Sequence, residues 1–343
     1  MSEPLPHAHG GPPLRASLRA CPGDFEVTER LGFEPAGSGE HAFVQIEKTG
    51  ANTEWVAREL AAAARVPVPA VGFAGLKDRH AVTRQAFTVH LPGRPGPDWN
   101  ALAIAGVRVL SATRHDRKLR RGAHRGNGFV IRLRDVEGDR DLAEARLAAI
   151  RERGVPNYFG EQRFGRDEHN LELAQALFAG RRLPRAQRGF ALSAARADLF
   201  NALLAVRVQE GNWERALEGE VWMLDRTHSI FGPEPWSEAL AQRLATLDIH
   251  PTGPLWGRGE LRSAADVHAL EADLARMRPQ FAHGLEEAGL EQERRALRLR
   301  ADGLAYAWED PRTLVLSFEL GAGAFATTVL RELCDWNTAP GAG

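Results

Sequence analysis

Lysine is almost missing from this chain. Of 44 basic residues only Lys48, Lys77 and Lys118 are lysines, and arginine supplies the rest. A composition bias of the genome explains that preference, but it also leaves nearly every positive charge on a planar donor fork suited to phosphate groups. Cysteine is equally scarce. Cys21 and Cys334 lie near opposite ends of 343 residues, which argues against a disulfide framework or a thiolate metal centre and fits a reducing, cytoplasmic setting. There is no CxxC pair, HExxH, GxSxG, Walker A loop or EF-hand pattern, so no metal site is expected. The opening "MSEPLPHAHGGPPLRASLRA" lacks the apolar segment of a signal peptide, and no later stretch is expected to cross a bilayer. A formal net charge of −1 excludes a globally basic chain. Any nucleic-acid contact must therefore come from local clustering.

What is present is globular material, 43% hydrophobic and 26% charged, enough for two domains or one domain with a large insertion. "NTEWVARELAAAARV" (52–66) predicts a helix capped by Asn52 or Thr53 and ended by Pro67 and Pro69. "AVGFAG" and "RQAFTVHL" predict strands on either side of a charged loop. "GFVIRLRDV" is the clearest strand, with Phe129, Ile131 and Leu133 alternating against Val130, Arg132 and Arg134. A helix is expected over 141–153, and "RTLVLSFEL" repeats the strand pattern before "GAGAF" turns into a last helix. From about residue 155 to 299, alanine, leucine, arginine and glutamate dominate between Pro/Gly breaks. Strand-rich ends around a more helical middle predict a sheet domain built from both ends of the chain and interrupted by a second domain.

Chemistry concentrates in "GFAGLKDRHAVTRQ" (72–85), where Lys77, Asp78, Arg79 and His80 are consecutive in the loop between two predicted strands. An aspartate in a turn is commonly a turn former. Here cations flank it, and "GFAG" permits close backbone approach. Burial pushes a carboxylate toward its neutral form and a neighbouring cation opposes that, the combination that a nucleophile or general base requires. Both readings stand on the residues alone. A second cluster runs from Arg114 to Arg134, where eight of 21 residues are basic and only Asp116 is acidic. It fits a solvated face or an edge that meets phosphates. "GAHRGNG" is glycine-rich but leads into a strand, unlike the usual phosphate cradle at a helix start.

Taken together, "FAGLKDRHAVTRQ", "PNYFGEQRFG", "GNGFVIRLRDV" and "GAGAFATTVLREL" resemble the TruD family of tRNA pseudouridine synthases, over almost the whole chain. The resemblance implies an α+β pseudouridine synthase catalytic domain with a mixed, largely antiparallel sheet, formed by residues 1–152 and 300–343. The family's insertion domain would occupy 153–299. It implies a cofactor-free enzyme that isomerises uridine-13 of the tRNA D-arm on a flipped-out base; a cytoplasmic monomer with no membrane partner is the default expectation. Carried onto this sequence, the catalytic aspartate falls on Asp78, and the substrate contacts on Phe25, Asn127 and Phe325. Arg19 stands where relatives usually carry a lysine that pairs with the aspartate, and Lys77 is expected to support the same ion pair. Arg117, Lys118, Arg120, Arg121 and Arg125 are expected along the RNA backbone. "NYFGEQRFG" (157–165) reads as a hinge with RNA contact nearby. In "GRDEHN" the chain has Asp167 to His169 where relatives often carry glycines, a departure that bears on the local turn. The rival readings are a non-catalytic RNA-binding protein and a hydrolase with an aspartyl intermediate.

Overall fold

The computed structural model describes residues 4–338. These fall into two compact units, one made of 13–143, 301–324 and 334–338, the other of 4–12, 144–300 and 325–333. The division between 143 and 144 lies inside the helix Arg140–Arg153, against an expected boundary at 152. Residues 4–12 and 325–333 group with the inserted part of the chain.

The first unit is a ten-stranded sheet. Its strands are β1 (Leu14–Leu18), β2 (Phe25–Arg30), β3 (His41–Thr49), β4 (Val71–Phe73), β5 (Val82–His90), β6 (Val107–His115) and β7 (Gly126–Gly138), joined by Asp302–Asp310, Thr313–Gly321 and Cys334–Thr338. The longest path runs Asp302–Asp310, Thr313–Gly321, β7, β2, β5, β3, β6. Among the described residues of this sheet, only β2 with β5, and β1 with Cys334–Thr338, pair in parallel. The expected alternation in β7 holds: Phe129, Ile131 and Leu133 are buried, while Val130 is exposed and Arg132 and Arg134 are half-buried. β5 differs, because Thr83 through Val89 apart from Arg84 are all buried. The helix α1 (Thr53–Ala64) covers one of its faces, packing Val56 and Leu60 with Val44, Ile46, Phe87 and Val89. A strand covered on both faces has no reason to alternate.

A buried carboxylate fixes the entry to β2. Asp24 is fully buried, accepts from Arg134 Nε at 2.9 Å and from the Cys21 amide at 3.0 Å. Burial alone would raise its pKa, but these bonds outweigh it and leave the group below the usual carboxylate range.

The second unit centres on the helix Arg185–Gln209, flanked by His169–Phe178, Ala265–Met277 and Pro279–Glu287. It also holds a four-stranded sheet, Ile230–Phe231, Trp222–Leu224, Ile249–Leu255 and Glu293–Ala296, which the sequence pattern did not reveal because three strands are short and Ile249–Leu255, buried nearly throughout, carries two prolines and a glycine and does not alternate. Contrary to the expectation that no stretch could cross a bilayer, Arg185–Gln209 is long and apolar enough by length and composition. Its apolar residues Leu192, Leu199, Phe200, Leu203 and Leu204 are buried in protein, which explains the composition as that of a core helix.

Ile131 is fully buried on β7, between Phe25 on one neighbouring strand and Leu316 on the other. Ile131→Ala should cost about 2–5 kcal/mol through the cavity it leaves, read as a lower urea midpoint with an unchanged slope.

Candidate active site

The loop between β4 and β5 is built by its neighbours. The strands pair in antiparallel register, Phe73 opposite Phe87. The Lys77 amide donates to Thr53 Oγ1 at 3.0 Å, the Thr53 hydroxyl to Gln85 Oε1 at 2.9 Å, and the Gln85 amide nitrogen to Gly75 O at 3.3 Å. The first residue of α1 thereby ties the loop to β5. Beneath it lies Lys48 of β3, 1% exposed, whose ammonium donates to Ala51 O at 2.7 Å, Asp78 O at 3.0 Å and Lys77 O at 3.4 Å. Burial pulls its pKa down to about 8, with Asp78 opposing and Lys77 reinforcing the shift. Gly72 is required on β4, since a Cβ there would lie 2.4 Å from Leu119 O.

Asp78 is held at both carboxylate oxygens. Oδ2 accepts from Arg19 Nη2 at 2.6 Å, and Oδ1 accepts from the His80 amide at 2.9 Å. The side chain keeps 27% of its surface exposed, enough for a substrate to reach it. Arg19 follows β1 in left-handed backbone at φ 62°, a conformation costing of order 1–3 kcal/mol in a residue with a Cβ. Its guanidinium lies 4.2 Å over the Phe25 ring, a cation–π contact that fixes the plane of the fork.

Lys77 takes a different place from the one expected. Its ammonium pairs with Glu29 Oε1 at 2.8 Å, both side chains being nearly fully buried, and not with Asp78. The physical reason is the Glu29 carboxylate: buried on β2, it also accepts the Ala86 amide at 3.1 Å and needs a cation that a surface residue cannot supply. Phe25 is 4% exposed, edge-on to Phe129 at 6.2 Å. Asn127 lies within β7, opposite Glu29 and Leu320, rather than ahead of the strand. Its Oδ1 is buried without a hydrogen-bond partner. Phe325 belongs to the second unit, where it caps the helix Ala326–Leu330.

The basic run forms a loop anchored by buried Leu119, whose amide donates to Thr88 Oγ1 at 2.9 Å. Arg117, Arg120 and Arg125 are exposed. Lys118 is committed to Pro69 O at 2.5 Å, and Arg121 lies 4.2 Å over Phe73 and 3.2 Å from Glu54. Asp167 and Glu168 adopt left-handed backbone, φ 53° and 60°, the conformation that glycine takes without strain. Lys48 and Glu29 were missed by sequence reasoning. The available signal was the rarity of lysine itself, since a chain so rich in arginine keeps lysine where a compact ammonium is needed.

The family model for tRNA pseudouridine synthase D (TruD) matches residues 6–181 and 168–333. Among similar proteins, the tRNA pseudouridine synthase D of Xanthomonas axonopodis pv. citri is 52% identical over 348 residues, covering 96% of this chain and 94% of the relative. That of Methylococcus capsulatus is 50% identical over 335 residues, covering 97% and 95%. A crystal structure from Methanosarcina mazei, assigned as tRNA pseudouridine synthase D, matches with a TM-score of 0.76 at 20% identity, covering 95% of both chains. At that identity the likeness speaks for the fold, an α+β pseudouridine synthase fold.

Lys48 generates a pH test. Its folded pKa near 8 lies below the ordinary value of 10.5, so between these values the unfolded chain binds more protons. Its contribution to stability therefore grows as pH rises from 8 toward 10.5 and is lost as pH falls through 8. Lys48→Met should remove that rise, seen by plotting urea midpoints of both proteins across pH 7.5–10.5. Superimposable profiles would refute the assignment.

Proposed function

The chain belongs to the TruD family of tRNA pseudouridine synthases, and from that premise we propose that it converts uridine-13 of the tRNA D-arm to pseudouridine, with Asp78 starting the reaction. The bond from ribose C1′ to N1 breaks, the uracil turns, and C5 joins C1′. The proton on C5 leaves and N1 gains one, so nothing is oxidised and no group is imported. A stacked base cannot present these atoms and has to be extruded, at a cost of a few kcal/mol. The observation that carries the reading is the Asp78 carboxylate held between Arg19 and the His80 amide in a loop braced from below by Lys48.

Asp78 acts either as a nucleophile toward C1′ or base C6, or as the base that removes a ribose proton. Arg19 aims the carboxylate and balances its charge, and Phe25 forms the wall behind Arg19 against the uracil or its ribose. The unpartnered Asn127 Oδ1 is an acceptor suited to the N3–H of uracil. Phe325 supplies a second ring, by family resemblance. Arg117, Arg120 and Arg125 meet phosphates from the exposed loop, with Lys118 and Arg121 holding that loop in place. The enzyme works as a monomer on tRNA without a cofactor.

Asp78→Asn should lower pseudouridine formation about 10³-fold or more while tRNA binding stays within a few-fold. Unchanged product formation would point to a binder whose modification comes from elsewhere. Carbodiimide mapping of tRNA from cells lacking the gene should show the signal lost at position 13, and loss at another position would overturn the target. Arg120→Ala should weaken tRNA binding and flatten its salt dependence, measured by filter binding across potassium chloride concentrations.

A further inference from the structure

The segment Asn157–Gly165 takes no part in the chemistry above, yet it organises two arginines around one ring. Arg295 is fixed by Asn157: Nη2 donates to Asn157 Oδ1 at 2.6 Å, while Asn157 itself is pinned by its amide to Leu297 O and its side chain to Ala296 O, both at 2.8 Å. The Arg295 guanidinium lies 4.1 Å over the Phe159 ring and 5.6 Å from that of Phe200. Arg163, from the turn Glu161–Arg163, lies 5.2 Å from the same Phe159 ring. Its Nη1 donates to Ser193 Oγ at 2.8 Å, and its Nε is buried with no partner at all.

Neither guanidinium has a carboxylate within ion-pair distance among the described residues, although the chain carries 45 acidic residues. Among the other deeply set arginines of this unit, Arg207 pairs with Glu220 at 3.0 Å and Arg294 with Glu271 at 2.5 Å, while Arg298 donates to His250 Nδ1 and to the carbonyls of Leu244 and Ile249. Burial lowers the pKa of Arg163, and it lowers that of Arg295 to about 10 with the charge of Arg163 adding to the effect. Two half-buried cations facing one ring without a counter-charge are costly in the free protein. The cost is relieved by an anion that arrives from outside, and planar forks favour a phosphate. The site also adjoins the segment that bears Phe325. A Cβ on Gly160 would lie 3.7 Å from Thr327 Oγ1, and the Thr328 hydroxyl donates to Tyr158 O at 3.4 Å.

We propose that Arg163 and Arg295, with the Ser193 hydroxyl, form a binding site for one backbone phosphate of the bound tRNA. The assignment rests on the reading of the chain as a tRNA-modifying enzyme, but its test reads binding rather than product. Arg163→Gln should weaken tRNA binding about tenfold at 0.1 M potassium chloride and reduce the slope of log affinity against log salt by about 0.7–0.9. The rate of product formation at saturating tRNA should stay within twofold. Affinity and slope both equal to wild type, in a variant that melts normally, would overturn it. Should the glutamine variant fail to fold, Arg163→Lys keeps the charge and loses the fork: affinity should fall several-fold with the slope unchanged, and wild-type affinity would refute the site. Calorimetry with inorganic phosphate separates the sources. Tight phosphate binding that tRNA does not displace would mean a free-anion site and end the RNA assignment. A wild-type enzyme that makes no pseudouridine at position 13, yet shows the slope difference, would sink the target and leave this site standing.

Discussion

One buried ammonium holds the loop that carries Asp78 in shape. Lys48 reaches the carbonyls of Ala51, Lys77 and Asp78 at once, joining the lead-in to α1 with the two residues at the loop's centre. Three carbonyls converging on one point would repel each other in a dry interior, and a compact cation with three donors satisfies them together. An arginine, with its wider planar head, cannot take that position without spreading the carbonyls. The orientation of the Asp78 side chain depends on this backbone, because its oxygens are then aimed by short bonds whose other ends are Arg19 and the amide of His80.

Two ion pairs with different jobs lie side by side. Glu29 and Lys77 are nearly sealed from water, so their attraction is little screened and neither can leave without stranding the other. Asp78 and Arg19 are only partly covered, and their contact can be exchanged for contacts with a ligand. Segregating the charges in this way leaves the Asp78 carboxylate accessible while a neighbouring lysine anchors the chain that carries it. A consecutive Lys–Asp in the sequence invites the inference that the two are partners. The backbone instead points them in opposite directions.

Much of this was legible in the residues. The strand around Ile131, the helix beginning at Thr53 and the loop carrying Asp78 follow from apolar periodicity and from Pro and Gly punctuation, and all three are local signals. The long motifs around Asp78 and Phe325 identified the family. What stayed hidden depends on contacts distant in sequence. Glu29 is 48 residues from Lys77, and no spacing rule links them. The short strands of the second unit, such as Trp222–Leu224 and Ile230–Phe231, are too brief to show a period. Composition alone does not say what surrounds the helix Arg185–Gln209, because a core helix and a bilayer helix can share it.

The distribution of lysine has a practical consequence. Lys48 and Lys77 are enclosed, and Lys118, on the basic loop, is the remaining side-chain amine. Reagents that acylate amines, including those used to tether proteins to sensor chips or to attach fluorophores, will find this loop before any other side chain. A tether placed there would cover the exposed arginines at 117, 120 and 125, so immobilisation through an introduced thiol or a terminal tag is the sounder choice for binding work.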